Sequence, residues 1–241
     1  MLLAELRGVL APFGLNLIGV APVAVYDASV PEPYRLGAAA RGARAAIVIG
    51  NGGGALWRHV ALRPEHLSRR HPLDDFTTEI METVALPIAE RLGLHPVLRL
   101  PHRSSTPPLS FVHLAEAAGL GTRSRLGVLL HPEYGPWLAL RGALLVDEAP
   151  AAARPAAGFD PCTTCRDRPC VAACPGIAIS PTAGWDVPRC IAFRVGEGDA
   201  NPCEDRCHAR IACVYGRVHR YPDAALAHHQ RRAFEVMRAR P

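Results

Sequence analysis

The sequence predicts an α+β protein of two domains, a larger one over residues 1–150 and a smaller one over residues 158–241. Residues 1–150 alternate segments of helical periodicity with short apolar segments bounded by glycine or proline, which is typical of mixed helices and strands. All eight cysteines lie between Cys162 and Cys213, and the 161 residues before Cys162 contain none. The stretch between these regions is rich in Ala and Pro and has no periodicity, so residues 151–157 are predicted to be a linker.

Apolar spacing predicts the elements one by one. Residues 2–13 carry leucines and valine at helical spacing, and the run AAIVI over residues 45–49 predicts a strand buried on both faces. The other elements are periodic or apolar segments that end at glycine or proline. They are strands over 16–20, 95–100, 127–130 and 137–146, and helices from Asp74 or Asp75 to about 92, over 109–118 and over 224–240.

Charge and hydropathy limit the partners and the compartment. The net charge is +5, all 27 basic residues are arginine, and the excess lies from residue 161 onward, where 12 Arg face 8 acidic residues. Scattered arginine is more typical of a solvated surface than of nucleic-acid binding. No run of 18 apolar residues occurs, and Glu5 and Arg7 interrupt the apolar N-terminus, which favours an amphipathic helix over a signal peptide. We therefore expect a cytoplasmic protein that does not bind a membrane.

The cysteines form two sets of four. The first set contains a Cys-x2-Cys turn and a Cys-Pro step, which are the marks of a bacterial ferredoxin with one gap two residues longer. The two sets are Cys162, Cys165, Cys170 and Cys174, followed by Cys190, Cys203, Cys207 and Cys213. Two [4Fe–4S] clusters explain this pattern best. In the usual crossed arrangement Cys213 joins the first three cysteines, and Cys174 joins the other three.

Two other interpretations of the cysteines stay open. Structural zinc sites would use eight thiolates as pairs of CxxC knuckles, but the chain has one CxxC and zinc does not require a Cys-Pro step. A disulfide framework belongs to small secreted domains, whereas this chain has 241 residues and no export signal.

The glycine-rich loop after the AAIVI strand has three interpretations. Gly50-Asn51-Gly52-Gly53-Gly54-Ala55 matches GxGxxA, so a dinucleotide could bind there with an acidic residue about twenty positions later. The loop could also be a tight turn. Alternatively, its backbone could approach a flat ligand closely, because glycine carries no side chain.

Residues 130–146, LHPEYGPWLALRGALLV, closely resemble the signature segment of cobalamin-processing proteins of the cblC type. His71-Pro-Leu-Asp74 and the proline-rich segment 21–34 resemble further parts of that family. The C-terminal half is similar to epoxyqueuosine reductase, which joins a cobalamin domain to a two-cluster ferredoxin domain. The residues that carry this likeness are Ala117 to Gly121 (AAGLG) and Arg189 to Phe193 (RCIAF). The second match supports the crossed arrangement of the cysteines.

Both resemblances imply a nitroreductase-like α+β domain that binds cobalamin, with the glycine loop close to the corrin. They also imply roles for individual residues. Arg141 and Tyr134 are the expected catalytic residues above the cobalt. The expected cofactor-binding residues are Gly50, Gly52, Gly53, Gly54, His131, Gly135 and Trp137. Each has a plainer alternative: an arginine paired with an acid, a packed turn, or a core tryptophan.

Two departures from these families limit the function. Ser105 stands where epoxyqueuosine reductase has a catalytic aspartate, and a serine cannot serve as the same proton donor. The chain also lacks Asp-x-His-x-x-Gly, so no histidine of that kind would bind the lower face of cobalt.

The sequence therefore predicts a corrinoid-dependent iron–sulfur reductase that passes electrons through two clusters to cobalamin, either to reduce it or to remove its upper ligand. An electron donor such as a flavodoxin or a ferredoxin reductase is expected, and tRNA is not expected as a partner. The alternatives are an enzyme like epoxyqueuosine reductase, despite Ser105, and an electron carrier whose N-terminal domain binds a flavin or nothing.

Overall fold

The computed structural model describes residues 2–37, 42–150, 158–196 and 201–238. The chain divides into two compact units. The first unit comprises Met1–Thr122 and Leu138–Gly158, and the second comprises Arg123–Trp137 and Phe159–Pro241. Residues 123–137, which were predicted to belong to the first domain, are therefore grouped with the cysteine-rich segment. The predicted linker over 151–157 lies outside the described residues.

The strands of the described chain follow in order. They are β1 (Leu17–Pro22), β2 (Ala45–Gly52), β3 (Val97–Arg99), β4 (Thr122–Arg123), β5 (Leu129–Leu130), β6 (Leu138–Val146), β7 (Ile179–Ser180) and β8 (Gly184–Trp185). The predicted strands are found, although those at 95–100 and 127–130 are shorter than expected. The hairpin of β7 and β8 was not predicted, because two residues are too short to leave a periodic signal.

The helices of the described residues are mostly short. They are α1 (Leu2–Leu10), α2 (Val23–Ser29), α3 (Ala55–Ala61), α4 (Pro64–Leu67), α5 (Pro72–Ile80), α6 (Leu86–Arg91), α7 (Phe111–Ala117), α8 (Pro161–Thr164), α9 (Pro169–Ala172), α10 (Val187–Gly196), α11 (His208–Ala212) and α12 (Asp223–Arg238). A π-helical segment, Met81–Ala85, joins α5 to α6, so the long predicted helix is continuous. The π-helical segment ends two residues before Pro87, whose nitrogen carries no hydrogen and cannot donate a helical hydrogen bond. No helix of the described residues is both long and apolar enough to cross a membrane.

The first unit is built on a four-stranded sheet in the order β1-β2-β6-β3, and every neighbouring pair is antiparallel. Every residue of β2 is buried, as the apolar sequence predicts. Ile47 and Ile49 face a core that α1, the α5–α6 helix and α3 complete, whereas α7 packs on the opposite face. The sheet is therefore covered on both sides even though it is not parallel.

The described part of the second unit consists mainly of helices, two of which are short and begin at proline. Pro161 opens α8 and Pro169 opens α9, positions where the missing N–H costs no hydrogen bond. The side chain of Asp160 accepts a hydrogen bond from Thr163 N at 3.3 Å and caps α8. The longer helices α10 and α12 pack against each other. The cysteines are thus spread over turns and helix ends rather than over a sheet.

Candidate functional site

The structure gathers the eight cysteines into two groups of four, each around its own cavity in the second unit. The first cysteine group is Cys162, Cys165, Cys170 and Cys213. The second cysteine group is Cys174, Cys190, Cys203 and Cys207. These are the crossed sets that the sequence predicts. Within the described part of the chain no three His, Cys, Asp or Glu residues converge tightly enough for a single metal ion, so each group surrounds a space rather than a point.

The backbone around Cys174 explains why this residue leaves its sequence neighbours. Cys170 lies on α9, and Cys174 follows that helix directly before Pro175, which cannot continue a helix. Ile177 then takes a positive φ of 50°, and the N–H of Ala178 donates to the Cys174 sulfur at 3.3 Å. The reversal holds Cys174 against the second cavity.

The second cysteine group is held by side chains of three segments. Cys190 lies on α10, while Cys203 and Cys207 belong to the loop before α11. The buried Asn201 accepts a hydrogen bond from Cys203 N at 2.8 Å and donates to the carbonyl oxygen of Arg194 at 3.0 Å, so it ties this loop to the end of α10. The cavity that these cysteines surround has a volume of about 250 Å³ and a largely apolar wall.

The surroundings of four of the thiols disfavour their ionisation in the absence of a bound cation. Burial is the main cause in each case, and neighbouring cysteines add to it. Together they raise the pKa of Cys203 to about 11, and they raise the pKa of Cys170, Cys207 and Cys213 as well. Two of these thiols belong to each cysteine group, and thiols that resist ionisation become thiolates when a positively charged metal centre compensates their charge.

In the first unit, the predicted catalytic residue Arg141 is buried in β6, with 8 % of its surface exposed. Its Nε donates to Asn51 Oδ1 at 2.8 Å, and its Nη1 lies 3.7 Å from Asp74 Oδ1. Asp74 is in the first turn of α5, but it does not cap that helix. The structure thus shows the plainer alternative, an arginine beside an acid, and the predicted catalytic role of Arg141 stays a prediction. The sequence did not indicate Asp74 as the partner.

His102 extends this group toward the surface, and no feature of the sequence predicted it. Its Nδ1 lies 3.9 Å from Asp74 Oδ1, and its Nε2 is 3.1 Å from the hydroxyl of Thr78. A single histidine in a loop leaves no pattern in the sequence. Only the fold brings residue 102 next to residue 74. Arg141, Asp74 and His102 form what we call the Asp74 cluster.

Two of the four glycines of the predicted cofactor loop, Gly50 and Gly52, lie in the sheet. Gly50 stands at a bulge between β2 and β6, where a Cβ atom would come within 2.6 Å of the Ala139 carbonyl oxygen. Both backbone polar groups of Gly52 bond to the side chain of Asn16. Gly53 takes a positive φ, and Gly54 precedes α3. Because both neighbours of β2 are antiparallel, the βαβ unit that a dinucleotide motif requires is not formed here.

The predicted turn residues His131, Tyr134 and Gly135 lie in the second unit. His131 and Gly135 exchange two backbone hydrogen bonds, and His131 Nδ1 accepts from the backbone N–H groups of Glu133 and Tyr134 at 3.1 and 3.3 Å. His131 therefore fixes the turn through its ring, and its predicted role in cofactor binding stays a prediction. Burial lowers its pKa, which keeps the accepting nitrogen free of a proton.

The same turn packs closely against the chain that follows Cys213. A Cβ atom on Gly135 would lie 2.4 Å from the carbonyl oxygen of Tyr215, and one on Gly216 would lie 2.2 Å from that of Tyr134. The Tyr134 ring contacts those of His131 and His219, with centroids 5.0 and 4.7 Å away. Burial raises the pKa of Tyr134, and a hydrogen bond with Glu133 raises it further.

Trp137 is fully buried in the second unit. The guanidinium of Arg210 lies 5.0 Å from the Trp137 ring and 5.1 Å from that of Tyr221, and it donates from Nε to the Pro136 carbonyl oxygen at 3.1 Å. These contacts account for the tryptophan by packing. Its predicted role beside a cofactor stays a prediction.

Comparisons with known proteins agree with this architecture. No protein-family model matches the chain. Over 90 residues it is 40 % identical to an epoxyqueuosine reductase of Synechococcus sp. (strain RCC307), a match that spans 37 % of this chain and 27 % of that protein. Among solved structures, a selenomethionine-labelled epoxyqueuosine reductase matches with a TM-score of 0.62 at 16 % identity over 92 % of this chain and 67 % of that one. The fold resembles that of epoxyqueuosine reductase.

A B12-trafficking protein has a similar fold. The B12-trafficking protein CblC of C. elegans matches with a TM-score of 0.52 at 15 % identity, over 98 % of this chain and 94 % of that one. The mixed α/β fold that the sequence predicts is therefore common to epoxyqueuosine reductase and CblC. The curated relative is matched over about a quarter of its length, so its activity does not transfer by similarity alone.

One expectation from the sequence is wrong. We did not expect tRNA as a partner, because Ser105 replaces an acid. A further solved structure of this fold, with a TM-score of 0.52 at 14 % identity over 94 % of this chain and 68 % of that one, is an epoxyqueuosine reductase with an epoxyqueuosine-modified tRNA-Tyr stem loop. Binding an RNA stem loop and donating one proton are separate tasks, so a change at position 105 does not exclude tRNA as a partner.

Proposed function

We propose that this protein is a corrinoid-dependent iron–sulfur reductase of the epoxyqueuosine reductase kind. The observation that carries the proposal is the pair of cavities in the second unit, each surrounded by four cysteines. The local sequence identity to an epoxyqueuosine reductase and the similarity of the fold support a reduction as the reaction. The proposed substrate class is an oxidised group, such as an epoxide, on a modified tRNA base.

The cysteine groups fit two [4Fe–4S] clusters. Four thiolates around one small space are the ligand set of such a cube. A Cys-Pro step that places one cysteine of the first set, here Cys174, in the other cysteine group is typical of two-cluster ferredoxins. The first cysteine group would hold one cube and the second the other. When bound, these clusters supply single-electron transfer.

For a corrinoid the support comes from the fold and from the chemistry of one buried side chain. Of the described charged residues, Arg141 and Arg194 are more than nine-tenths buried, and Arg141 is the one in the first unit. We propose that Arg141, oriented by Asn51, hydrogen-bonds to the corrinoid or to the substrate group that reacts. When bound, a corrinoid supplies electrons at cobalt.

The Asp74 cluster is the proposed source of protons in place of an acid at position 105. Removing an epoxide oxygen to leave an alkene consumes two electrons and two protons and releases one water. Ser105 cannot supply these protons, and its hydroxyl already donates to the Pro107 carbonyl oxygen at 2.9 Å. Asp74 lies next to the buried Arg141, and His102 connects Asp74 to Thr78 near the surface, so protons can be replaced from solvent.

A second candidate function is removal of the upper ligand of cobalamin itself. Ser105 favours it, because this reaction needs no carboxylic acid above a nucleoside. The CblC fold also matches over nearly the full length of both chains.

The test begins with protein purified without oxygen, assayed for iron, and mixed with hydroxocobalamin. About eight irons per chain are expected, four for each cysteine group, together with a shift of the cobalamin absorption toward the base-off form. The loaded protein is then given a chemical reductant and an epoxyqueuosine-containing tRNA stem loop, and loss of one oxygen atom is followed by mass spectrometry.

The outcomes separate the candidates. Oxygen loss from the stem loop supports the reductase, whereas loss of the cobalamin upper ligand with an intact epoxide supports processing. Iron without any cobalamin shift would contradict both and leave an electron carrier. Zinc without iron would overturn the proposal as a whole. Cys203→Ser is the negative control, because it removes one ligand from the buried second cysteine group.

A further inference from the structure

Arg194 is a buried cation at the second cysteine group. It lies on α10 one helical turn after Cys190, so the two side chains share one face of that helix. Its side chain lines the same cavity as Cys174, Cys203 and Cys207, and 4 % of its surface is exposed. Burying a guanidinium is unfavourable unless an opposite charge or a full set of acceptors compensates it.

The protein supplies only part of that compensation. Nη2 of Arg194 donates to the carbonyl oxygen of Gln230 at 2.9 Å, and Nη1 contacts the Met237 sulfur at 3.3 Å. The guanidinium also lies 5.2 Å from the centre of the Phe234 ring. Its Nε is buried without a hydrogen-bond partner, and no carboxylate within the described ranges forms an ion pair with it. A negatively charged cluster in the cavity would supply the opposite charge.

The arginines at the first cysteine group are placed differently. Arg125 and Arg168 line that cavity, and each also has a buried Nε without a hydrogen-bond partner, but both residues are partly exposed to solvent, and Arg217 is exposed. Water screens exposed charges strongly and buried charges weakly. Arg210 also lines the second cavity, but its guanidinium lies between the rings of Trp137 and Tyr221 and donates to Pro136. Arg194 is thus the cation whose field is least screened.

We propose that Arg194 is the counter-charge of the cluster at the second cysteine group and raises its reduction potential. Adding an electron makes a thiolate-ligated cluster more negative, so a neighbouring buried cation stabilises the reduced form. The N–H of Ala178, which donates to the Cys174 sulfur, acts in the same direction. The inference rests on the iron–sulfur part of the proposed function and adds which cysteine group retains the electron.

The experiment is a redox titration of the iron-loaded full chain with a chemical reductant, followed by electron paramagnetic resonance. Arg194→Gln removes the charge, Arg194→Met removes it while filling similar volume, and Arg194→Lys keeps it. Arg168→Gln is the matched control, because it removes one partly exposed arginine from the other cavity. Iron is counted in every variant, so that loss of a cluster is distinguished from a shift in its potential.

We expect one of the two couples to shift to lower potential in Arg194→Gln and Arg194→Met and to stay near the wild-type value in Arg194→Lys. Arg168→Gln should leave that couple in place. Unchanged potentials in a fully loaded Arg194→Gln would overturn the inference and leave the proposed function intact. An equal shift in Arg194→Lys would also overturn it, because packing rather than charge would then be responsible. A wild-type chain without iron would contradict the proposed function itself.

Discussion

The Nε atom of Arg141 donates a 2.8 Å hydrogen bond to Oδ1 of Asn51, and both side chains are buried in the first unit. The bond spans β6 and β2 beside the bulge at Gly50. It orients a guanidinium that also lies 3.7 Å from Asp74. The arginine is therefore held from two directions, which limits how far it can move when a ligand binds.

Asn51→Ala should destabilise the protein by about 1–3 kcal/mol, because it leaves a buried guanidinium nitrogen without its acceptor. Urea unfolding of the iron-loaded chain measures this. The control is Arg69→Ala, which breaks an exposed ion pair with Glu79 and should change the free energy of unfolding by no more than about 1 kcal/mol. Equal effects of the two substitutions would mean that the Asn51 bond does not matter for stability.

Asp74→Asn should slow oxygen removal from the stem loop by about 10²–10⁴-fold, the usual range for loss of a general acid. Asp75→Asn is its matched control, because Asp75 is the next residue on α5 but is exposed. His102→Gln should have a smaller effect, since solvent can still reach Asp74, whose side chain is 41 % exposed. Iron content and the cobalamin spectrum should be unchanged in all three. If Asp74→Asn and Asp75→Asn turn over equally fast, Asp74 is not the acid.

Cysteine substitutions test the crossed grouping directly. Cys170→Ser and Cys174→Ser change ligands only four positions apart, yet they should remove different clusters. Each variant should retain about four of about eight irons. The paramagnetic signal lost in Cys174→Ser should be the one lost in Cys203→Ser, whereas Cys170→Ser should lose the other. Loss of the same signal from Cys170→Ser and Cys174→Ser would contradict the grouping.

Stability should fall at acid pH because of His131. Burial lowers its pKa from the ordinary 6.5, so its contribution is fully present above pH 6.5 and is lost as the pH falls through the lower folded value. Protonating Nδ1 would also break the hydrogen bonds from Glu133 and Tyr134. His131→Asn keeps an acceptor that does not titrate. Thermal unfolding between pH 7 and pH 5 should therefore show a weaker pH dependence in this variant, and an unchanged dependence would exclude His131 as its source.

Local patterns predicted the parts of this protein that local chemistry determines. The cysteine spacing predicted the grouping of Cys174 with the later cysteines, because a Cys-Pro step allows few backbone conformations. The continuous apolar run at 45–49 predicted a doubly buried strand. The GxGxxA match was misleading, because the sequence of one strand does not tell whether its neighbours are parallel. Gly50 is a glycine because of the Ala139 carbonyl oxygen on another strand.

Other parts depend on contacts between distant residues and left no signal. Asp74 and His102 are 28 positions apart, and nothing in the sequence connects them. Arg194 was one of many scattered arginines, and only its burial in the cavity distinguishes it. The close approach of Gly135 to Tyr215 joins segments 80 residues apart.

The path of the chain limits how this protein can be divided or recombined. Residues 123–137 leave the first unit, contribute the buried Trp137 to the second, and are followed by β6 at the centre of the first sheet. A fragment that starts at the end of the linker would lack a core tryptophan and the backbone of Tyr134 and Gly135, against which Gly216 packs. A single cut or crossover therefore cannot transfer the cysteine-rich unit intact.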